Sequence, residues 1–316
     1  MAKTPFVLDP RPLPEASSPH AGVLATSRAF RSLGFPQFIE EHLRLCARRR
    51  GFSEAQMVES AVVLQTIGGD CPEDVGLLAG DRCLERGLGY RPPKVTALRE
   101  FLELFHDGQL EAQRPARDKQ LSFIVPSSSA VEALQEVQAA GVRRIAALYE
   151  QRGDGQRIAT IDQDATIIES HKRSAFAHYL GGRGYQPMLA VWAEADLIVA
   201  DQFRDGNVPA NQDPLDCCRL AFGGLPRSLQ ERYFRGDSAC YERQLLGWLS
   251  SEDREAEPGG RIGFAISAQM SPELSAAVQG VPEKEWITFE TEEDGTRRQW
   301  ADVDFVPSQG LSLIHI

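Results

Sequence analysis

Residues 157–168 read RIATIDQDATII. Upstream of Arg157 the chain is patterned as helix; from here it alternates and is rich in β-branched residues, so Ile158 to Ile168 is expected to be a strand. Working outward toward the C-terminus, Met188 to Trp192 and Leu197 to Phe203 read as two further strands, joined by a turn at Glu194 to Asp196. Pro214 to Phe222 reads as a short helix and Arg232 to Arg235 as a fourth strand. Tyr241 to Leu249 reads as a helix with Leu245, Trp248 and Leu249 on one face, and Arg261 to Ala268 as a fifth strand. Trp286 to Glu290 and Arg298 to Phe305 are expected to pair as a hairpin around the Asp294-Gly295 turn signal. Three strands followed by alternating helix and strand place the chain in the α/β class, as a mixed sheet with helices packed on it.

Toward the N-terminus, residues 1–22 are rich in proline and serine and read as an extended arm. Val23 to Asp107 is helical in pattern. Phe38, Ile39, Leu43 and Leu45 fit one amphipathic helix ending in Arg48-Arg49-Arg50 and Gly51, a basic last turn followed by glycine. Ser53 to Gln56 is a capping box opening a helix that Gly68-Gly69 closes. Val75 to Leu84 and Val95 to Phe105 are expected as two short helices separated by a turn with Gly89 and Pro92-Pro93. Such a set fits either a helix-turn-helix region or an ordinary helical subdomain. Gln109 to Gln120 reads as a linker. Ser129 to Glu132 reads as a second capping box, with a helix to about Ala140 that Gly141 ends or kinks before Val142 to Tyr149.

Composition narrows the class. The chain has 316 residues, 42% hydrophobic and 25% charged, the balance of a soluble globular protein. It has no uninterrupted apolar stretch near the roughly 20 residues of a spanning helix, so a membrane partner is not expected, and no apolar signal-peptide core follows Met1. Its six cysteines form neither a CxxC pair nor a Cys/His ladder, the pattern of reduced thiols in a cytoplasmic protein. The net charge of −11 is uneven: residues 1–150 carry 18 basic and 19 acidic side chains, residues 151–316 carry 16 and 26. A basic footprint for nucleic acid is therefore local if it exists at all.

Two acidic motifs stand out. Asp162 and Asp164 alternate onto one face of the first strand, where they either bind a hard cation or cap a neighbouring loop. Asp237, in Arg235-Gly236-Asp237-Ser238, follows the fourth strand, at the strand end where open α/β sheets place ligands; it is equally readable as a helix N-cap. If the first and fourth strands are neighbours, Asp164 and Asp237 come together. The glycine-rich Tyr179 to Pro187 stretch lacks the lysine and following helix of a P-loop and reads as a turn, as does Arg204 to Asn207. His171 and His178, beside Lys172 and Arg173, make a patch that is solvated or phosphate-facing.

Taken together, Asp162-x-Asp164-Ala-Thr166, the Gly181 to Pro187 segment, Phe203 to Asn207 and Arg235-Gly-Asp237-Ser-x-x-Tyr-Glu242 resemble the DDE-type transposases of bacterial insertion sequences, over roughly residues 23 to 305. The resemblance implies an RNase H-like catalytic domain with a β-rich insertion. It implies residues 23–120 as a DNA-binding helical region, 121–268 as an incomplete catalytic core, 269–310 as the start of the insertion and 311–316 as a tail foreign to the family. It implies Asp164 and Asp237 as catalytic residues, Mg²⁺ or Mn²⁺ held by Asp164, Asp237 and Asp162, and a third carboxylate on a helix beyond the insertion, with Glu283, Glu285 and Glu290 as rivals for that place. The partners it implies are terminal inverted repeats and target DNA, met by a homodimer in a synaptic complex at the nucleoid. Arg44, Arg48, Arg49, Arg50, Lys94, Lys172 and Arg173 are the expected DNA contacts. Three activities follow as expectations: strand cleavage and transfer by the family's enzyme, with the chain itself expected to be inactive in strand transfer for want of the third carboxylate; DNA binding by a truncated and inactive chain; and, less favoured, a metal-dependent nuclease with a different acidic layout.

Overall fold

The structure is a computed structural model that describes residues 18–45, 51–119, 121–251, 260–268, 270–292, 295–305 and 314–315. Helices α1 (Val23–Ser32), α2 (Phe35–His42), α3 (Glu54–Thr66), α4 (Arg82–Leu88) and α5 (Val95–Glu103) surround one apolar cluster that includes Phe30, Ile39, Val63, Leu84 and Leu98. The capping box at α3 is present: Gln56 N donates to Ser53 Oγ at 3.2 Å, and Ser53 N donates to Gln56 Oε1 at 3.0 Å. Gly68, at φ +87°, follows the helix in a conformation other residues rarely adopt. Helix α2 stops at His42, short of the basic run, because Leu43 turns to extended backbone; the arginines at 48–50 lie outside the described residues. The expected Val75 to Leu84 helix is instead a 3₁₀ turn at Pro72–Leu77 and α4, which Asp81 caps through the Cys83 and Leu84 N–H groups. A buried carboxylate, Glu59, is fully engaged inside this cluster: Arg31 donates at 2.7 and 2.8 Å and Ser27 at 2.6 Å, which makes it structural.

After the single turn α6 (Gly108–Glu111) comes the 24-residue α7 (Ser129–Arg152). Ser128, not Ser129, caps α7 by accepting from Val131 N, and position N3 is valine, so no reciprocal box forms. Gly141 does not end α7, which runs on to Arg152. A Cβ there would lie 2.6 Å from the Phe35 ring, so glycine lets α2 approach α7 closely. Val137 of α7 belongs to the helical cluster and Val142 to the cluster beneath the sheet.

The sheet is built from β1 (Ile158–Ala165), then, after the short β2 (Ile168–Glu169), β3 (Phe176–Ala177) and β4 (Arg183–Tyr185), from β5 (Met188–Trp192), β6 (Leu197–Gln202), β7 (Glu231–Gly236) and β8 (Gly263–Ile266). Its order is β6-β5-β1-β7-β8. Strands β1, β5 and β6 are antiparallel, and β7 and β8 continue the sheet parallel to β1. Helices α8 (Pro214–Gly224) and α9 (Arg243–Ser250) follow β6 and β7. The class is thus α/β with a mixed sheet and flanking helices. The first strand ends at Ala165, not Ile168: β2, β4 and β3 form a separate three-stranded sheet beyond it.

The two faces of the main sheet differ. Ala159, Ile161 and Gln163 of β1 are buried, with Trp192, Phe234, Phe222, Leu245 and Leu249 in the same core. Thr160, Asp162 and Asp164 point the other way, in register with Val191, Leu189, Tyr233 and Arg235, and none of these is buried. Beyond β8 lie α10 (Pro272–Gln279), the hairpin β9 (Ile287–Thr291) and β10 (Arg297–Trp300), and β11 (Asp304–Phe305), which pairs with β12 (Ile314–His315). The expected Arg298 to Phe305 strand is therefore two strands. Among the described residues no helix is long and apolar enough to cross a membrane.

Candidate functional site

The C-terminal ends of β1 and β7 lie side by side. The parallel register pairs Asp162 with Arg235 and Gln163 with Gly236. The register ends there: Asp164 is the next residue of β1, and Asp237 is the first residue past the end of β7. Asp164 shares a face with Asp162, because strand side chains alternate. Both carboxylates are exposed on the open face of the sheet.

Each is oriented by its own backbone turn. Asp164 Oδ1 accepts from Ala165 N at 2.7 Å, and Asp237 Oδ1 accepts from Ala239 N at 2.9 Å, capping a 3₁₀ turn at Ser238–Cys240. Among the described residues the second oxygen of each accepts no hydrogen bond. Helix α9 is capped by Glu242, whose carboxylate accepts from Gln244 N and Leu245 N, so Asp237 does not cap it.

Two groups beneath the pair hold the strand ends in place. Cys240 is buried and directs its Sγ at Gln163 O, 3.8 Å away. Burial pushes its thiol pKa up to about 12, and the negative charges of Asp237 and Asp164 push the same way. Gly236 has no room for a side chain: a Cβ would meet Cys240 Cβ at 2.6 Å. Gln163 ties the end of β1 to the start of α8 by donating to Pro214 O at 2.8 Å.

Asp162 is placed differently. Arg235 Nε and Nη2 donate to its two oxygens, both at 2.6 Å, in a fork-to-fork ion pair bridging β1 and β7. The two open carboxylates are therefore Asp164 and Asp237. Two carboxylates with waters and phosphate oxygens suit Mg²⁺, which seldom takes an all-protein cage. Among the described residues no group of three His, Cys, Asp or Glu side chains converges as a metal cage. Of the glutamates expected to compete for a third place, Glu283 and Glu285 lie in a 3₁₀ turn and Glu290 is ion-paired with Arg298 at 3.5 Å.

The expected DNA contacts are scattered. Arg44 follows α2, and Lys94 precedes α5; both are exposed. Lys172 and Arg173 lie in the loop between β2 and β3, beyond the end of β1. The Gln109 to Gln120 segment is more than a linker. Arg114 pairs with the buried Asp205, and Arg117 donates to the carbonyls of Arg173, Ser174 and Ala175 while lying 4.5 Å over the Phe176 ring. The Arg204 to Asn207 turn is also structural. Arg204 is fully buried, donating to Gln202 Oε1 and to the carbonyls of Gln212 and Asp213. Arg114, Arg117, Arg204 and Asp205 have no local sequence signal that separates them from surface charges.

No protein-family model matches the chain, and no curated protein matches it significantly.

Proposed function

We propose that the chain is a DDE-type transposase, a metal-dependent enzyme that cleaves DNA at the ends of an insertion sequence and transfers the strand. The observation that carries this reading is that β1 and β7 are parallel neighbours, with Asp164 at the C-terminal end of one and Asp237 directly after the other, 73 positions apart in the chain. The sheet, with β1 central, an antiparallel flank and a parallel flank, supports an RNase H-like core.

Asp164 and Asp237 would hold Mg²⁺ or Mn²⁺, which supplies charge stabilisation at phosphate oxygens. The chain's own contribution is placement. Gln163 and Cys240 fix the two strand ends from below, and the Asp162–Arg235 pair fixes them from the open side. Terminal repeats and target DNA are the partners in this reading, with exposed arginines and lysines contacting phosphates, a homodimer as the working assembly and the nucleoid as its place.

The test is cleavage of element-end DNA by the purified chain in Mg²⁺ or Mn²⁺. Metal stabilisation of several kcal/mol corresponds to about 10³-fold or more in rate. Any metal-dependent cleavage is expected to fall by that factor on Asp164→Ala or Asp237→Ala, with thermal stability unchanged. Cleavage indifferent to both substitutions ends the assignment. Specific binding of terminal repeats without cleavage supports the other reading, a DNA-binding protein that does not catalyse.

A further inference from the structure

We propose that the small sheet beyond β1 carries a phosphate-binding pocket that grips the DNA backbone a few base pairs from Asp164 and Asp237. The idea rests on the DNA-directed reading above and adds a ligand site to it. A cavity of about 430 Å³ opens between the β2–β3 loop and β4, lined by Ser170, His171, Lys172, Arg173 and Arg183 together with Glu169 and Gly182.

Three features make it an anion site. The first is charge. Lys172, Arg173 and Arg183 bring three permanent cations against one carboxylate, in a half of the chain with 16 basic and 26 acidic residues. Among the described residues none of the three is paired with a carboxylate. Guanidinium and ammonium groups gathered around one concavity match the oxygens of a phosphate, with arginine able to bind two at once.

The second is that the backbone under these side chains is already fixed. Ser170 N donates to Arg183 O at 2.9 Å, and Lys172 N donates to Ser170 Oγ at 3.3 Å. Arg117 then clamps the loop through the carbonyls of Arg173, Ser174 and Ala175 at 2.8–3.0 Å. Little loop ordering is left to oppose binding. Gly184 of β4 lets the strands close up behind the pocket: a Cβ there would fall 2.2 Å from Ile168 O.

The third is position. Ser170 is six residues beyond Asp164, a reach of at most about 22 Å at 3.3–3.6 Å per residue. At 3.4 Å per base pair, a duplex whose phosphate sits in the pocket passes Asp164 within about six base pairs. The pocket therefore sets the register of the strand on the two carboxylates.

The test uses the full chain, without metal, and a fluorescent duplex carrying an element end, titrated at several salt concentrations. The double variant Lys172→Ala/Arg183→Ala is expected to bind about 10-fold more weakly and to lower the slope of log K against log salt by about one, the signature of one lost phosphate contact. Arg152→Ala/Arg157→Ala, which removes two exposed charges near the opposite end of β1, is expected to change neither by as much. Equal losses in both variants reduce the effect to net charge and overturn the proposal. So does a pocket that binds inorganic phosphate while duplex affinity is indifferent to the double variant, because its ligand is then free phosphate. Binding is read without catalysis. Loss of DNA affinity in a chain that never cleaves keeps the pocket and removes the enzyme; cleavage with unaltered affinity does the reverse.

Discussion

The two faces of the main sheet are made from the same strands and do opposite things. On one face Ile161, Trp192 and Phe234 are sealed under α8 and α9, and the polar Gln163 is admitted only by donating to Pro214 O. On the other, Asp162, Asp164, Arg235 and Asp237 stand in solvent, where ionised carboxylates carry little desolvation cost. Alternation along β1 thus sorts apolar packing to one side and exposed charge to the other, residue by residue.

The sharpest way to break this comparison is to truncate one isoleucine on each face. Ile161→Ala is expected to cost about 2–5 kcal/mol, as large-to-small changes in packed cores do. Ile198→Ala, at a site 52% exposed, is expected to stay within about 0.5 kcal/mol. Urea denaturation of both variants decides it, and similar losses would mean that the open face is packed in solution. A smaller effect is expected at the boundary between the faces. Gly236→Ala forces a Cβ against Cys240 and should destabilise by about 1–3 kcal/mol while weakening divalent-cation binding, because the end of β7 must shift. Calorimetry with Mn²⁺ reads both, and unchanged cation affinity would separate Gly236 from the carboxylate pair. The smallest effect belongs to the half-exposed Asp162–Arg235 pair. A double-mutant cycle with alanine should return about 0.2–1 kcal/mol of coupling, falling with salt. Larger, salt-insensitive coupling would indicate that the open face is desolvated.

Much of this arrangement was legible in the amino-acid order, and the parts that were not have physical reasons. Met188–Trp192 reads as a strand to the residue because five apolar positions stand between turn signals. The adjacency of β1 and β7 follows from the alternation of elements. The partner of Asp162 does not, since Arg235 reaches it only through inter-strand register. The sheet β2-β4-β3 escaped because strands of two or three residues have no period to detect. Helix α10 was missed despite its signals: Ser271 accepts from Leu274 N at 3.1 Å, and Pro272 and Glu273 follow in its first turn. Gly141 reads as an end or a kink by composition, and the Phe35 ring packed against it accounts for the glycine within a continuous helix.

That uninterrupted helix has a mechanical consequence. At 1.5 Å per residue α7 is about 36 Å long, and Val137 and Val142, about 1.4 turns apart, are rooted in different hydrophobic clusters. The rod is common property. A protease cut in the segment 109–119 would sever the chain but leave α2 seated on α7, so the nicked halves should stay associated and melt in one cooperative transition. Cooperativity here is a matter of shared helix, and it gives any force applied to the helical region a stiff route to the strand that bears Asp164.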